Sequence, residues 1–554
     1  MRWSPLEKLC GSLAGSLILI YLASFALFCL HAPREAYFGF SAVFTLMGIL
    51  SLGQLAAFFR HRLTRRVILA YLVVAVWEFG HLAMVRSFSG GVWSGDWREH
   101  YDRMCYFLNL RPRNFLFLGI YQLSARPPMM NLICAFFCRQ VGLSFEAYSL
   151  CCLFLNGLAF IPCCLLLRLF RARGLRNVFP LAILFMLNPS IVENATYTVT
   201  KALTAGLVVM GVCFYLRALR EKTAVGGPSR MIAAALCLAS GVLTHYSAGP
   251  YAVAVAIHYL WTLIRGRLRF REAILAGGAG AILLATWFSW SIVTYGLHTS
   301  FLSNSTAINM ATVPPGDSVR LFLYKIFVNF VPHPLHRANA RLFPPGWNRN
   351  NLRDYFFMMS QQTLPMMIGS TGGIVAIGLF LTAKKGLHRE KQFWSYFVIF
   401  TYIIGTLSDP EWPVYGSAFA TAQPLALMGV VLVAARLFDL PAPLFWLVIA
   451  GSAIDYAWGI FLQFYQESFT YPTFTDTQGN VAVYPDPSLG INGAVDYQQK
   501  LNYHFTFWGD HLAGIASLLE VASVLIALAA LWILIRLRRT RDRKSKELTH
   551  LVGS

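Results

Sequence analysis

Three acidic residues lie within two helical turns of one another, just after an apolar segment: Asp96, Glu99 and Asp102. A carboxylate within hydrogen-bond reach of a hydroxyl group can act as a general base. We predict a catalytic role for Asp96, with Glu99 and Asp102 as helpers. Asp102 and Glu99 are also spaced i,i+4 from Arg98 and Arg103. Such pairs are typical of solvent-exposed helices, so a plain surface helix is the alternative.

Five basic residues are candidates for holding a negatively charged group: Arg126, Lys201, His245, Lys325 and Arg337. A phosphate that departs during a reaction gains charge, which cations stabilise, and a guanidinium suits phosphate particularly well. We predict that these residues bind such a phosphate. The alternatives are ordinary: Arg126 and Lys201 could be anchors at a membrane surface, and His245 could be a buried histidine with hydrogen-bond partners.

The sequence leaves the use of a metal open. If a divalent cation such as Mg²⁺ or Mn²⁺ takes part, Asp409 or Glu411 could join Asp96 as oxygen ligands. The eleven cysteines include no CxxC pair, and all but Cys105 lie in or against apolar segments. We interpret the cysteines as small buried apolar residues and not as metal ligands.

The rest of the chain has the composition of a membrane protein. Of its 554 residues, 56% are hydrophobic and only 13% are charged, whereas soluble domains are about one quarter charged. Apolar runs long enough to cross a bilayer recur throughout, and we count about fourteen. The sequence therefore predicts an all-α polytopic membrane protein with enlarged loops on one side.

Basic residues orient the predicted spans. Runs rich in Lys and Arg fall in alternate loops, so the positive-inside rule places these loops and both termini in the cytoplasm. The net charge of +21 is explained by this signal and by attraction to lipid headgroups. Nucleic-acid binding is not predicted, because the basic residues are scattered over many loops. The long loops are then extracytoplasmic, and they cover 86–144, 296–363, 408–417 and 464–511.

We divide the chain into four parts on this basis. The boundaries follow the predicted spans and the basic tail. The parts are two N-terminal helices (1–66), a membrane core with its outer loops 86–144 and 296–363 (67–435), C-terminal helices with the outer loop 464–511 (436–535), and a basic cytoplasmic tail (536–554).

The order of several short motifs resembles the GT-C superfamily of integral-membrane glycosyltransferases, in particular the branch of the aminoarabinose lipid A transferases and the dolichyl-phosphate-mannose protein mannosyltransferases. The resemblance covers roughly residues 67–435. The motifs are Gly95-Asp96, Arg126-Pro127-Pro128-Met129-Met130, Asn188-Pro189-Ser190, Thr198-Val199-Thr200-Lys201 and Gly241 to His245-Tyr246. The chain departs from the family pattern in two places: Trp97 follows Asp96 where a second acid is usual, and Lys201 stands where a later Asp is common.

The resemblance implies a GT-C-like core and an active site on the extracytoplasmic side. It implies a sugar donor linked to a polyprenyl phosphate, either undecaprenyl or dolichyl. The acceptor would be a lipid, a glycan or a protein, and surrounding membrane lipids are the other expected partners. A single Asp base predicts inversion at the anomeric carbon. The departures leave the metal, the sugar and the acceptor unassigned.

The alternative function is a secondary transporter or lipid flippase. Its coupling residues would be the acids and the histidine inside the predicted spans, Glu78, His81, Asp455 and Glu520. We expect Glu78 and His81, one turn apart, to hydrogen-bond each other. Transporters of this kind show paired, interrupted helices, and the sequence shows no such pattern. An inactive scaffold in an envelope assembly is a third reading.

We predict a multi-pass protein of a bacterial cytoplasmic membrane, with its site facing outwards. Two formal sequons, at Asn194 and Asn304, keep an endoplasmic reticulum membrane open as the alternative.

Overall fold

A computed structural model of the protein is dominated by α-helices. It describes residues 3–85, 96–117, 121–170, 177–220, 227–265, 270–302, 318–331, 360, 363–382, 390–407, 419–468, 473–475, 481–483 and 508–553. The predicted all-helical membrane architecture is confirmed, apart from one short hairpin.

The N-terminal half consists of helices joined by short connections. They are α1 (Pro5–Cys29), α2 (Arg34–Leu50), α3 (Leu52–Arg60), α4 (Arg62–Leu82), α5 (Asp96–Phe107), α6 (Met129–Val141), α7 (Phe145–Gly157), α8 (Phe160–Phe170), α9 (Val178–Leu187), α10 (Pro189–Thr196), α11 (Lys201–Arg220) and α12 (Gly227–Thr244). Single 3₁₀ turns follow at Leu123–Ala125, before α6, and at Tyr246–Ala248, after α12.

The C-terminal half continues in the same way. Its helices are α13 (Gly249–Ile264), α14 (Phe270–Tyr295), α15 (Leu297–Leu302), α16 (Ser318–Phe330), α17 (Leu364–Ile368), α18 (Gly372–Thr382), α19 (Lys391–Leu407), α20 (Phe419–Arg436), α21 (Ala442–Ser468), α22 (Trp508–His511) and α23 (Ala516–Gly553). Further 3₁₀ turns lie at Leu437–Asp439 and Ala513–Ile515. The strands β1 (Thr473–Thr475) and β2 (Val481–Val483) pair antiparallel, with Thr473 opposite Val483.

The chain is a multi-pass membrane protein. Among the described residues, eight helices are long and apolar enough to cross a bilayer, or ten if each of two bent pairs is one span. Three shorter apolar helices of 10–17 residues accompany them. The count differs from the predicted fourteen because several apolar runs are broken or too short to span alone. The run 364–382, for example, is divided into α17 and α18.

Two helices are broken inside apolar segments, which the sequence reading missed. Helices α2 and α3 meet at 65°, and α9 and α10 meet at 74°. At the second break, Asn188 accepts a hydrogen bond from the backbone N–H of Ile191 at 3.1 Å, which caps α10. Pro189 follows at the first position of α10. A residue before proline avoids helical backbone angles, so the Asn-Pro pair ends α9 and starts a new direction.

Burial separates the inner helices from the lipid-facing ones. In α11 and α20, 83% of the apolar stretch is buried, against 22% in α14 and 28% in α23. The inner pair therefore forms the centre of the bundle, and α14 and α23 present most of their surface to lipid. Helix α11 begins with Lys201, so one of these two enclosed helices carries a candidate residue at its first position.

Helix α1 is tied into the bundle by charged residues. Ser4 and Glu7 form a capping box at its start, with Glu7 accepting from the backbone N–H of Ser4 at 2.7 Å. The other carboxylate oxygen of Glu7 accepts from Nε of Arg230 on α12 at 2.7 Å, and both side chains are buried. This pair joins α1 to α12 inside the bundle.

Candidate functional site

The acidic stretch forms helix α5, which is buried against α6 and does not lie on a solvent-exposed surface. Glu99 and Arg103 are 0% and 1% exposed. The carboxylate of Glu99 accepts from Nε of Arg103 at 2.8 Å, and Nη2 of Arg103 lies 2.7 Å from the same oxygen. The i,i+4 pair suggested by the sequence is therefore present, but in an interior where an unpaired charge would be costly.

Glu99 also holds Arg126, which comes from a different motif. Nε of Arg126 lies 3.0 Å from the Glu99 carboxylate, and the Arg126 side chain is 20% exposed. Burial alone would raise the pKa of Glu99, but the charges of Arg126, Arg103 and His100 and the hydrogen bond from Arg103 lower it to about 2. Glu99 is therefore a permanent carboxylate between two guanidinium groups.

Arg103 fixes the turn that carries Arg126. It donates from Nη1 to the carbonyl of Leu123 at 2.6 Å and from Nη2 to that of Gln122 at 3.3 Å. Its guanidinium also lies 4.3 Å from the centre of the Phe117 ring. Burial and the charge of Arg126 lower the pKa of Arg103, against the attraction of Glu99. The energetic cost of this buried cation is thus offset by several fixed contacts.

The 3₁₀ turn Tyr246–Ala248, which follows α12, contacts the turn Leu123–Ala125. The hydroxyl of Tyr246 donates to the carbonyl of Ser124 at 3.2 Å. The neighbouring His245 accepts at Nδ1 from the backbone N–H of Ser247 at 3.1 Å. An accepting Nδ1 carries no proton, so the neutral imidazole keeps its proton on Nε2.

His245 lies close to the other basic candidates. Burial, followed by the charges of Arg126, Lys201 and His100, lowers the pKa of His245 well below its ordinary value. The turn 246–248 also packs against α11, which begins at Lys201, so segments from three separate motifs lie near one another. The sequence placed Arg126, Lys201 and His245 on the same side of the membrane, and the structure brings them together.

The position of Lys201 depends on Asn156 of α7. Nδ2 of Asn156 donates to the carbonyls of Asn194 at 2.9 Å and Val199 at 2.8 Å, and its Oδ1 accepts from the N–H of Leu203 at 3.0 Å. These bonds join the end of α10, the connecting turn and the start of α11. Lys201, within this junction, is 3% exposed.

The remaining acids of α5 have distinct positions. Asp102 is buried, and its Oδ1 lies 3.0 Å from Nη2 of Arg111. Position 96 is the first residue of α5, one turn before Glu99 and His100 and on the same helical face. The side chain of Asp96 lies outside the part of the chain that the structure describes.

The other anion-binding candidates are placed differently. Lys325 is 5% exposed on α16, which packs against α19 and α17. The hydroxyl of Tyr402 on α19 donates to the carbonyl of the next residue, Ile326, at 2.9 Å. Arg337, Asp409 and Glu411 lie outside the described residues.

The acids described in this region do not fit a divalent cation. The Glu99 carboxylate contacts two guanidinium groups, and that of Asp102 contacts a third. Within the described ranges, no group of three or more His, Cys, Asp or Glu side chains is arranged to hold a metal ion. We therefore do not assign these acids to a metal.

The four residues of the transporter alternative are dispersed. Glu78 and His81 are buried on α4, but His81 donates from Nδ1 to the carbonyl of Trp77 at 2.9 Å, so the expected Glu78–His81 bond is wrong. Its ring instead packs on Trp77, one turn back. Asp455 on α21 accepts from the N–H of Ser370 at 3.0 Å, and Glu520 is half-exposed on α23.

Sequence reasoning missed several residues that build the site. Asn156 and Tyr246 form hydrogen bonds to residues far away in the sequence, and no local sequence pattern predicts such bonds. Arg103 was visible only as the partner of Glu99 in an i,i+4 pair. Asn194, a formal sequon, is 4% exposed and donates to the carbonyl of Ser190 at 2.6 Å, so its amide is inaccessible to glycosylation. Asn304 lies outside the described residues.

Comparisons with known proteins give structural likeness only. No family model and no curated protein matches the sequence. Among solved structures, ArnT from Cupriavidus metallidurans in the apo state is 16% identical, with a TM-score of 0.47 over 84% of this chain and 73% of that chain.

Two further solved structures have the same character. ArnT from Cupriavidus metallidurans bound to undecaprenyl phosphate is 14% identical, with a TM-score of 0.46 over 85% of this chain and 75% of that chain. The archaeal oligosaccharyltransferase AglB from Archaeoglobus fulgidus, in complex with an inhibitory peptide and a dolichol-phosphate, is 12% identical, with a TM-score of 0.38 over 75% and 56%. All three TM-scores are below 0.5.

Proposed function

We propose that this protein is a membrane glycosyltransferase that moves a sugar from a polyprenyl-phosphate donor to an acceptor hydroxyl on the extracytoplasmic side. One observation carries the proposal. Arg126, Lys201 and His245 belong to segments that pack against one another: Tyr246 contacts Ser124, the turn 246–248 packs on α11, and Arg126 pairs with Glu99 of α5. A cationic region beside a helix that bears carboxylates suits the departure of a phosphate coupled to deprotonation of a hydroxyl.

Arg126 is the principal phosphate ligand in this proposal. Glu99 fixes its Nε, so the orientation of the guanidinium is set before a substrate binds. The side chain remains 20% exposed, which leaves it within reach of a ligand. A guanidinium fixed in this way needs little reorganisation as negative charge grows on the leaving phosphate. Lys201 supplies a second positive charge at the start of α11, where the helix dipole adds to it.

His245 completes the phosphate site as a neutral hydrogen-bond donor. Its Nδ1 is occupied by the N–H of Ser247, so Nε2–H is the group available for donation. The low pKa of His245 keeps the ring neutral in this electropositive region. We propose Lys325 and Arg337, both of the predicted outer segment 296–363, as further cations for the phosphate.

Asp96 is the general base. It comes first on α5, one turn before Glu99. Glu99 cannot take this role, because a carboxylate with a pKa of about 2 is a poor proton acceptor near neutral pH. Asp102 and Glu99 are positioning residues that hold Arg111 and Arg126. A single carboxylate base predicts direct displacement and therefore inversion at the anomeric carbon.

The substrates follow from the membrane setting. Activated nucleotide sugars are confined to the cytosol, whereas polyprenyl-phosphate sugars are present in the outer leaflet. We therefore propose an undecaprenyl- or dolichyl-phosphate monosaccharide as donor, a lipid, glycan or protein as acceptor, and a bacterial cytoplasmic membrane as location.

The decisive experiment measures release of polyprenyl phosphate from a radiolabelled donor by purified protein in detergent. We expect release by the wild type and a loss of at least about 100-fold in Asp96→Asn, since general-base groups contribute about 10²–10⁴-fold. Asp439→Asn is the matched control, because Asp439 pairs with Arg541 at the cytoplasmic end. An intact donor in the wild type would support a transporter instead. Retained stereochemistry in the product would exclude a single-displacement reaction.

A further inference from the structure

A small cavity lies inside the bundle, beneath the break between α9 and α10. Its volume is about 30 Å³, which is room for about two water-sized groups. Most of the wall is apolar, but five polar side chains reach it. They are Glu78, Asn156, Ser190, Asn194 and Gln423.

Among the described residues that line this cavity, Glu78 is the only charged one. It is 1% exposed, and its Oε2 has no hydrogen-bond partner among the described residues. A buried carboxylate without compensation is strongly unfavourable, so something in the cavity must neutralise or solvate it.

The amide nitrogens of the other polar side chains already have hydrogen-bond partners. Both hydrogens of Asn156 Nδ2 are directed at the carbonyls of Asn194 and Val199. Nε2 of Gln423 donates to Oδ1 of Asn194 at 2.8 Å, and Nδ2 of Asn194 donates to the carbonyl of Ser190 at 2.6 Å. The amide oxygens of the wall can each accept more than one contact, and such oxygens are ligands for a hard cation.

Gly157 lies directly against the Glu78 carboxylate. A Cβ atom at position 157 would lie 2.8 Å from Oε2 of Glu78, so a larger residue there would displace the carboxylate. The cavity also lies at a broken helix, and such breaks in membrane proteins place backbone carbonyls around Na⁺.

We propose that this cavity binds a small alkali cation of the Na⁺ class, with Glu78 as its charged ligand. One carboxylate balances one positive charge, which suits a monovalent ion better than a divalent one. The ion would secure α10 against α4 and α7. This site is independent of the proposed transferase reaction.

The test is thermal unfolding of the purified protein, followed by tryptophan fluorescence, in chloride salts of Na⁺, Li⁺, K⁺ and choline at equal ionic strength. We expect NaCl to raise the midpoint saturably, by at least about 2 °C over choline chloride, with K⁺ less effective. In Glu78→Gln the midpoint should no longer depend on the cation. Glu520→Gln, a half-exposed glutamate on α23, should keep the wild-type response.

Two results would overturn the proposal. One is a wild-type unfolding midpoint that is the same in NaCl and in choline chloride, which would mean that Glu78 is neutralised by a proton. The other is a Na⁺ response that persists in Glu78→Gln. If Glu78→Gln does not fold, Gly157→Ala replaces it, because the added Cβ narrows the site. The Na⁺ concentration for half-maximal stabilisation should then rise about tenfold, and an unchanged value would also overturn the proposal.

Discussion

Replacing Glu99 with glutamine should destabilise the protein strongly while keeping the side-chain shape. The carboxylate is fully buried and contacts Arg103 at 2.7 Å and Arg126 at 3.0 Å. The lowering of its pKa from 4.5 to about 2 corresponds to about 3 kcal/mol in favour of the ionised group in the folded protein. Removing one partner of a buried ion pair costs about 3–5 kcal/mol, because the other charge stays behind. We therefore expect Glu99→Gln to lose at least about 3 kcal/mol of unfolding free energy.

The assay is chemical unfolding in mild detergent, followed by tryptophan fluorescence between pH 3.5 and 7. Because the pKa of Glu99 is lower in the folded state, its stabilisation is complete above about pH 4.5. It declines as the pH falls towards 2, and Glu99→Gln should lack this acid-sensitive part. Asp102→Asn is the control on the same helix: Arg111 is 23% exposed, so the loss should be about 1 kcal/mol or less. Equal losses in the two variants would refute the idea that Glu99 neutralises a buried pair of cations.

Three further predictions concern the cationic region and its support. Arg126→Gln should lower kcat/KM for the polyprenyl-phosphate donor by about 10–100-fold, since hydrogen bonds to charged groups contribute about 1.5–3 kcal/mol; steady-state kinetics with Arg126→Lys as partial rescue would check this. Asn156→Ala should lose about 3 kcal/mol in chemical unfolding, at about 1 kcal/mol for each of its three bonds, and Asn156→Asp, which lacks the amide donors, should not restore it. His245→Gln should retain more transferase activity than His245→Leu, because its amide still donates. The pKa of His245 is lowered in the folded state, so wild-type stability should fall as the pH drops below 6.5, and both variants should lack the part of that fall that His245 contributes.

Local sequence patterns predicted the membrane architecture and several members of the site. The composition and length of an apolar run predict a membrane-spanning helix without knowledge of which other helices it contacts. The reason is that a backbone inside lipid must satisfy its own hydrogen bonds. The same reasoning failed at Asn188-Pro189. There, the length and hydropathy of the segment predicted one span. The backbone preference of a residue before proline instead divides the segment into α9 and α10.

The acidic stretch shows most clearly what the sequence could not decide. Its spacing fits a surface helix and a buried helix equally well, since i,i+4 pairs occur in both. Only the packing of α5 on α6, and the arrival of Arg126 from 27 residues further along the chain, place Glu99 in the interior.

The sequence by itself determined that this chain is a bundle of apolar helices, because hydropathy acts locally along the chain. The tertiary structure alone decided that Arg126, Lys201 and His245 lie together, and that Asn156 and Tyr246 hold them there. Those contacts join residues far apart in the chain. They form only when whole helices pack together, and the packing of helices cannot be predicted from a short stretch of sequence.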